Sequence, residues 1–450
     1  MRISNGFTHI YGSDDAVADE MKVLLIVPLH RKQNFKRYFQ PAPLSLMTVA
    51  SLTPPDVSVH MVDETVETLN FNTPADLVGI GSNTSEITRA YEICDTFKSR
   101  GKTVVMGGIH VSALPEEALE HADSVVIGEA EGLWEKLLDD FRHGRLKKIY
   151  RHQDLPDLKD LPFPDKNILR GKRYLTQNVC HVSRGCPYRC VFCSVTEFFG
   201  NRFRIRDEKK VIAEIERMDG RFLIFLDDNI FGDPAFAAHL MNSLIPLKKK
   251  WVSQCTLRLA NNPKLLELAA RSGCMGMLIG LESVNKASLK ASGKPIKFDQ
   301  YANWIRRIID SGIHIDGSFV FGFDNEDASI FERTLSFIYK VKLSAATFSI
   351  LTPYPGTRLL STLERENRII DRNWEHYDGT HTVFQPHGMT PEQLEGGRAW
   401  VKQEFYRLPN IVKRVGFRGT HVHYLWLYNL LKQGGTSKGR AKKARNPNLS

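Results

Sequence analysis

Arg184-Gly185-Cys186-Pro187-Tyr188-Arg189-Cys190-Val191-Phe192-Cys193 places three thiols within eight residues, in the spacing C-x3-C-x2-C. Three thiolates on one short loop suit a soft metal centre. A structural zinc site is closed by four protein ligands, whereas an iron–sulfur cluster held by three cysteines leaves one iron open to an outside ligand. Cys180 and His181 are the upstream groups that could complete a zinc site. Zinc pairs usually come as matched knuckles, so the spacing favours a cluster. The chain has seven cysteines, and Cys94, Cys180, Cys255 and Cys274 stand apart from the trio. Cys94, Cys255 and Cys274 fall in patterns of packed elements, where a thiol acts as a small hydrophobe, and Cys180 is isolated six residues before the trio.

Outward from this loop the chain alternates short apolar runs with helix-like segments. Downstream, Phe222–Leu226, Ser253–Leu259, Gly276–Gly280, Ile313–Phe321 and Ala346–Leu351 read as strands. Upstream, Val23–Val27, Val57–Val62, Leu77–Ile80, Val104–Met106 and Ser124–Ile127 do the same. Strands alternating with helices imply parallel pairing. The upstream set is read as a doubly wound sheet, the downstream set as an α/β unit of barrel type. Ser82-Asn83-Thr84-Ser85, Gly107-Gly108 and Gly128-Glu129 follow the upstream strands, at the carboxyl edge where such sheets bind ligands. The expected organisation is a leader over 1–20, a sheet domain over 21–150 and a packed linker over 151–175. A barrel unit over 176–390, a helical extension over 391–436 and a basic disordered tail over 437–450 complete it.

Of the 450 residues, 42% are hydrophobic and 25% charged, the balance of an ordinary globular protein. That excludes wholesale disorder, collagen and a disulfide scaffold. No run approaches the roughly 18 apolar residues of a membrane span. Asp14, Asp15, Asp19 and Glu20 precede the first apolar run, unlike a secretory signal, so the expected location is the cytoplasm. The net charge is +10, and +9 of it lies in residues 391–450. The charge marks a basic tail, not a nucleic-acid-binding body.

The cysteine loop, with its aromatic Phe192, resembles that of the radical S-adenosylmethionine (SAM) superfamily. Asp227-Asp228-Asn229 resembles the family's motif facing the methionine amino group, and Ile279-Gly280-Leu281-Glu282-Ser283 its motif beside the ribose. Gly312–Gly322 and Leu351–Thr357 resemble its later strands. The upstream sheet, with Gly107-Gly108-Ile109-His110 and Gly128-Glu129-Ala130-Glu131, resembles the cobalamin-binding domain of one large subclass. The motif D-x-H-x-x-G, whose histidine ligates cobalt, is absent: that stretch reads Val27-Pro28-Leu29-His30-Arg31-Lys32-Gln33. His30 is therefore read as an ordinary loop histidine.

The resemblance implies a partial (β/α)6 barrel of the TIM type behind a Rossmann-like sheet. It implies a [4Fe–4S] cluster on Cys186, Cys190 and Cys193. S-adenosyl-L-methionine would lie against Asp227, Asp228, Asn229, Glu282 and Ser283, and cobalamin against Ser82, Thr84, Gly107, Gly108, Gly128 and Glu129. Arg258 offers a bidentate fork for the cofactor carboxylate, or else forms a surface salt bridge. Asp227, Asp228 and Glu282 could also simply cap helices. The implied activity is formation of a 5′-deoxyadenosyl radical followed by cobalamin-dependent methylation of an unactivated carbon. A cobalamin-free radical reaction (dehydrogenation, dehydration, cyclisation or carbon–carbon coupling) is the alternative, and a metal-binding nucleic-acid module a more distant one. A small-molecule or lipid-like substrate and a reductant such as flavodoxin or ferredoxin are the expected partners, with no nucleic acid. Val422–Leu431 (VHYLWLYNLL) reads as a helix packed on the barrel, or as an interfacial segment bringing the basic C-terminus to a membrane surface.

Overall fold

Residues 20–29, 40–294, 296–417 and 421–434 are described in the computed structural model of the protein. His30, most of the leader and the 437–450 tail lie outside them. The first unit is a six-stranded parallel sheet of β1 (Met21–Val27), β2 (Val57–Asp63), β3 (Leu77–Gly81), β4 (Thr103–Gly107), β5 (Ser124–Ile127) and β6 (Ile149–Arg151), in the order β2-β1-β3-β4-β5-β6. Val23 and Leu25 of β1 enter one apolar cluster while Leu24 and Ile26 enter another. A strand buried on both faces reads as an unbroken apolar run, not as an alternation. Helix Ile87–Ser99 covers one face with Ile87, Ala90, Ile93 and Phe97. Helix Leu133–Arg142 covers the other with Leu133, Trp134 and Leu137.

After residues 152–178, β7 (Val179–Cys180) opens the second unit, and the short antiparallel pair β8 (Ser183–Arg184) and β9 (Arg204–Ile205) brackets the cysteine loop. β10 (Phe222–Phe225), β11 (Lys250–Cys255), β12 (Cys274–Glu282), β13 (His314–Phe321) and β14 (Ala345–Ile350) join β7 in a six-stranded parallel sheet ordered β14-β13-β12-β11-β10-β7. This is the open six-stranded α/β barrel expected from the sequence. Ile315, Phe319 and Phe321 of β13 face the helix layer, and Asp316, Ser318 and Val320 between them stay half-buried on the other, concave side. One strand differs from expectation. The run Ser253–Leu259 leaves the sheet at Cys255, and Leu257–Asn261 is a 3-10 turn. Cys255, Leu257 and Leu259 are all buried, so the alternation continues through the turn and mimics strand.

The C-terminal region is helical: Pro391–Phe405, Leu408–Val415 and Val422–Gly434. Thr390 and Gln393 form a reciprocal capping box at the first of these, satisfying two otherwise orphaned backbone donors. Arg414 stands 3.5 Å over the Phe405 ring and donates to the Ser344 carbonyl at 2.8 Å, pinning the extension to the start of β14. The last helix reaches the same end of the barrel: Asn429 also bonds the Ser344 carbonyl, and Tyr428 bonds Asp316.

Candidate active site

The cysteine loop is held from beneath by the two carboxylates at the end of β10. Asp227 is buried and accepts from the Val182 and Ser183 backbone N–H groups and the Ser183 hydroxyl. Burial pushes its carboxyl up to about 7, against the pull of those hydrogen bonds. Asp228 is half-buried and accepts from Gly185 N–H at 2.9 Å. Gly185 has φ +84°, and a Cβ there would lie 2.0 Å from the Arg202 carbonyl oxygen, so no other residue fits. The neighbouring Asn229 is buried, and its side-chain oxygen has no hydrogen-bond partner among the described residues.

The three loop thiols are half-buried, whereas Cys94, Cys180, Cys255 and Cys274 are fully buried. Burial raises all three, Cys190 to about 12, with Lys294 opposing at Cys186 and Cys190. Cys180 and His181 are engaged elsewhere, with Arg206 and Arg184 respectively. Among the described residues no three His, Cys, Asp or Glu side chains are grouped to grip a single metal ion. Three thiols on one loop suit a cluster, in which each sulfur meets a different iron.

Lys294 is the group that sequence reading missed. Its segment seats against the loop, with Val191 N–H donating to the Ser292 carbonyl at 3.1 Å. The Lys294 ammonium is buried, pairs with Glu282 at 2.5 Å and donates to the Gly280 carbonyl. Burial disfavours this ammonium, but Glu282 and the thiols outweigh it and its pKa rises. Glu282 has φ +61° at an irregularity in the β12–β13 register. Such backbone is costly for a side-chain-bearing residue and concentrates at functional sites. Ser283 donates to the buried Glu326, whose carboxyl burial pushes up to about 7. Arg258 is exposed on the turn after β11 and has no ion pair among the described residues.

At the sheet edge, Gly108 has φ +109° and lies against the Ser82 backbone, where a Cβ would come within 2.4 Å of the carbonyl oxygen. Ser82 donates to the Asn83 carbonyl. Gly107 approaches Val126, while Gly128, at φ +84°, has open space where a Cβ would project. Thr84 meets the buried His110, which reaches Glu117, and Glu117 also accepts from Tyr91 and from Trp374 of the barrel unit. Glu129 pairs with Arg184 and Arg204, and Glu131 with Arg184, all four largely buried. Glu129, expected beside a cofactor, therefore joins the sheet edge to the strands flanking the cysteine loop.

The chain is 32% identical to the Bacteriochlorophyllide d C-12(1)-methyltransferase of Chlorobaculum tepidum, across 88% of this chain and 89% of that relative. Its residues 180–338 match the family described as Radical SAM superfamily. The chain belongs to the radical SAM superfamily. Residues 47–138 of this radical SAM protein match the B12 binding domain. It is 34% identical to the Bacteriochlorophyllide d C-8(2)-methyltransferase of the same organism, across 76% and 80% of the two chains. It is 25% identical to the Hopanoid C-2 methylase of Rhodopseudomonas palustris, across 86% and 83%. Among solved structures it shares its fold with the radical SAM methyltransferase TsrM from Kitasatospora setae, described with cobalamin and a [4Fe–4S] cluster bound. The TM-score is 0.69 at 14% identity, covering 92% of this chain and 99% of that one. No helix among the described residues is long and apolar enough to cross a membrane.

Proposed function

We propose that this radical SAM enzyme methylates an unactivated carbon of a small molecule with the help of cobalamin. The observation that carries the reading is the closure of the B12-type sheet edge over the cysteine loop by Arg184, Arg204, Glu129 and Glu131. It sets the edge that would hold cobalamin against the loop that would hold the cluster. When bound, the cluster supplies the electron that splits SAM, and cobalamin carries the methyl group. Cys186, Cys190 and Cys193 would hold three irons, leaving the fourth for the methionine end of SAM.

The chain's own residues have separable tasks in this reading. Asp227 and Asp228 fix the loop, and Asp228 would also meet the SAM amino group. The unpartnered Asn229 oxygen offers that amino group an acceptor. Glu282 would meet the ribose, with Lys294 holding it in place, and Arg258, exposed on the turn after β11, would fork onto the SAM carboxylate. The open space at Gly128, with Gly107 and the Ser82–Thr84 turn, accommodates a broad ligand on the sheet edge. A one-electron donor of flavodoxin or ferredoxin type completes the system.

By their names, the relatives act on bacteriochlorophyllides and a hopanoid. What those names share is methylation, so the reaction class is the supported inference. The test is the iron, sulfide and cobalamin content of anaerobically purified protein, followed by SAM cleavage with a chemical reductant. Iron and sulfide near four per chain, with retained or recruited cobalamin, are expected. One zinc without iron overturns the cluster. SAM cleavage by protein that neither retains nor takes up cobalamin replaces methylation with a cobalamin-free radical reaction.

A further inference from the structure

We propose that the exposed face over Cys190 is where an acidic one-electron carrier protein docks, a step that extends the function proposed above and rests on it. Most sides of the cysteine loop are already taken. Asp227 and Asp228 hold it from beneath, the Arg184 and Arg204 pairs with Glu129 and Glu131 close it toward the sheet edge, and Lys294 lies on the barrel side. The stretch Pro187–Cys190 is left to solvent: Pro187 and Arg189 are exposed and Cys190 is half-buried.

Two other segments frame this stretch. Val191 donates its N–H to the Ser292 carbonyl at 3.1 Å and accepts from the Leu359 N–H at 3.0 Å. A Cβ on Gly293 would lie 3.0 Å from the Arg189 carbonyl oxygen and 3.8 Å from Cys190 Cα. Arg358 donates to the same Arg189 carbonyl at 2.6 Å. The end of helix Lys286–Ala291 and the start of helix Arg358–Arg365 therefore share one surface with Cys190.

Each segment brings an exposed cation to that surface: Arg189 from the loop, Lys290 from the first helix and Arg358 from the second. Arg202 borders them, on the turn whose carbonyl abuts Gly185. None of the four is in an ion pair among the described residues, whereas nearby carboxylates are engaged: Asp299 by Lys286, Glu364 by Arg372 and Glu366 by Arg368. Glu197 is exposed on the helix after the loop, one negative charge against four positive. The first 390 residues carry a net charge of only +1, so this is a local excess on a nearly neutral body.

Place and charge together identify the occupant. Pro187, Ala291 and Gly293 are small and exposed between the cations, which makes a flat centre with a positive rim. That form suits the small interfaces, below about 1,200 Å², of transient electron-transfer pairs. Opposite charge speeds encounter more than it tightens the complex, as a carrier that must leave after each delivery requires. The carrier is oxidised by one electron and the cluster on the three cysteines is reduced by one, with no atom or proton exchanged. The electron arrives at Cys190 without crossing the sides assigned to SAM and cobalamin.

The experiment follows, by stopped-flow absorbance, the oxidation of photoreduced flavodoxin by the full-length, anaerobically reconstituted protein. The rate should fall as salt is raised. Lys290→Glu with Arg202→Glu should slow it about tenfold or more at low salt. Lys248→Glu with Lys413→Glu makes the same change in net charge at the opposite, amino ends of the strands, and should leave the rate near that of the parent. Iron content, and SAM cleavage driven by excess dithionite, should be unchanged in both. If the Lys290 and Arg202 variant binds less iron, Lys290→Gln alone carries the test, with a smaller slowing expected. A rate indifferent to salt, an unchanged rate in the Lys290 variants, or equal slowing in the Lys248 and Lys413 variant overturns the docking site alone. Parent protein that cleaves no SAM even with dithionite overturns the proposed function, and the docking site with it.

Discussion

Replacing Lys294 by Met tests how the site is held together. Lys294 and Glu282 form a buried pair at 2.5 Å, with side chains 7% and 9% exposed. Removing one partner of such a pair strands the other as an uncompensated charge, which costs about 3–5 kcal/mol, whereas replacing both with neutral groups of similar volume is often close to neutral. Melting entropy runs at about 2.1 cal/mol/K per residue, so if the chain unfolds as one unit the single variant should lose roughly 3–5 °C. If the barrel unit unfolds separately the shift is larger, because the same energy acts on fewer residues. Adding Glu282→Gln should restore most of the lost stability, leaving a double-mutant coupling of several kcal/mol. The assays are thermal and denaturant melts of metal-free protein, then SAM affinity and iron content after reconstitution. Glu282→Gln alone should weaken SAM binding with iron retained. If Lys294→Met melts no lower than the double variant, the pair is not a buried ion pair in any energetic sense and the argument fails.

Three further outcomes follow from the geometry. Asp227→Asn sets an amide donor against the Val182 and Ser183 N–H groups, so reconstituted iron should fall, while Asp228→Ala should chiefly weaken SAM binding; identical iron and affinity in both variants would refute the distinction. Gly185→Ala must displace the Arg202 carbonyl, and it should lower both melting temperature and iron content, the latter read by sulfide and iron assay. Arg184, despite the burial that opposes charge there, holds Glu131 below the ordinary carboxylate range. A depressed folded-state value contributes stability above the unfolded value and loses it as pH falls through the folded one. Acid melts below about pH 4.5 should therefore be shallower in Glu131→Gln than in the parent, and parallel curves would contradict this.

Much of the scaffold could be read because its cause is local. A strand buried on both faces must be apolar throughout, so the runs at 23–27, 77–80 and 104–106 stood out. The cysteine loop stood out because its spacing lies within ten residues. β6 did not, since only Tyr150 of its three residues is buried, and β7 is two residues long. The partnerships that assemble the site were hidden for a different reason. Arg184 and Glu131 lie 53 residues apart, and Trp374 and Glu117 lie 257 apart; no periodicity joins them. Lys294 follows a glycine in a polar stretch and looks like a surface lysine until Glu282 and the cysteine loop close around it.

Two posts stand out where the two units meet: arginines with glutamates beside the cysteine loop, and Trp374 on Glu117 beside His110. Two separated posts leave rotation only about the line that joins them, since any other rotation about one breaks the other. The arginine–glutamate post stands beside the cysteine loop and restrains the sheet edge there. Such a tie favours a constant spacing between the two units over wide opening, and leaves the line through the two posts as the one axis for a swing.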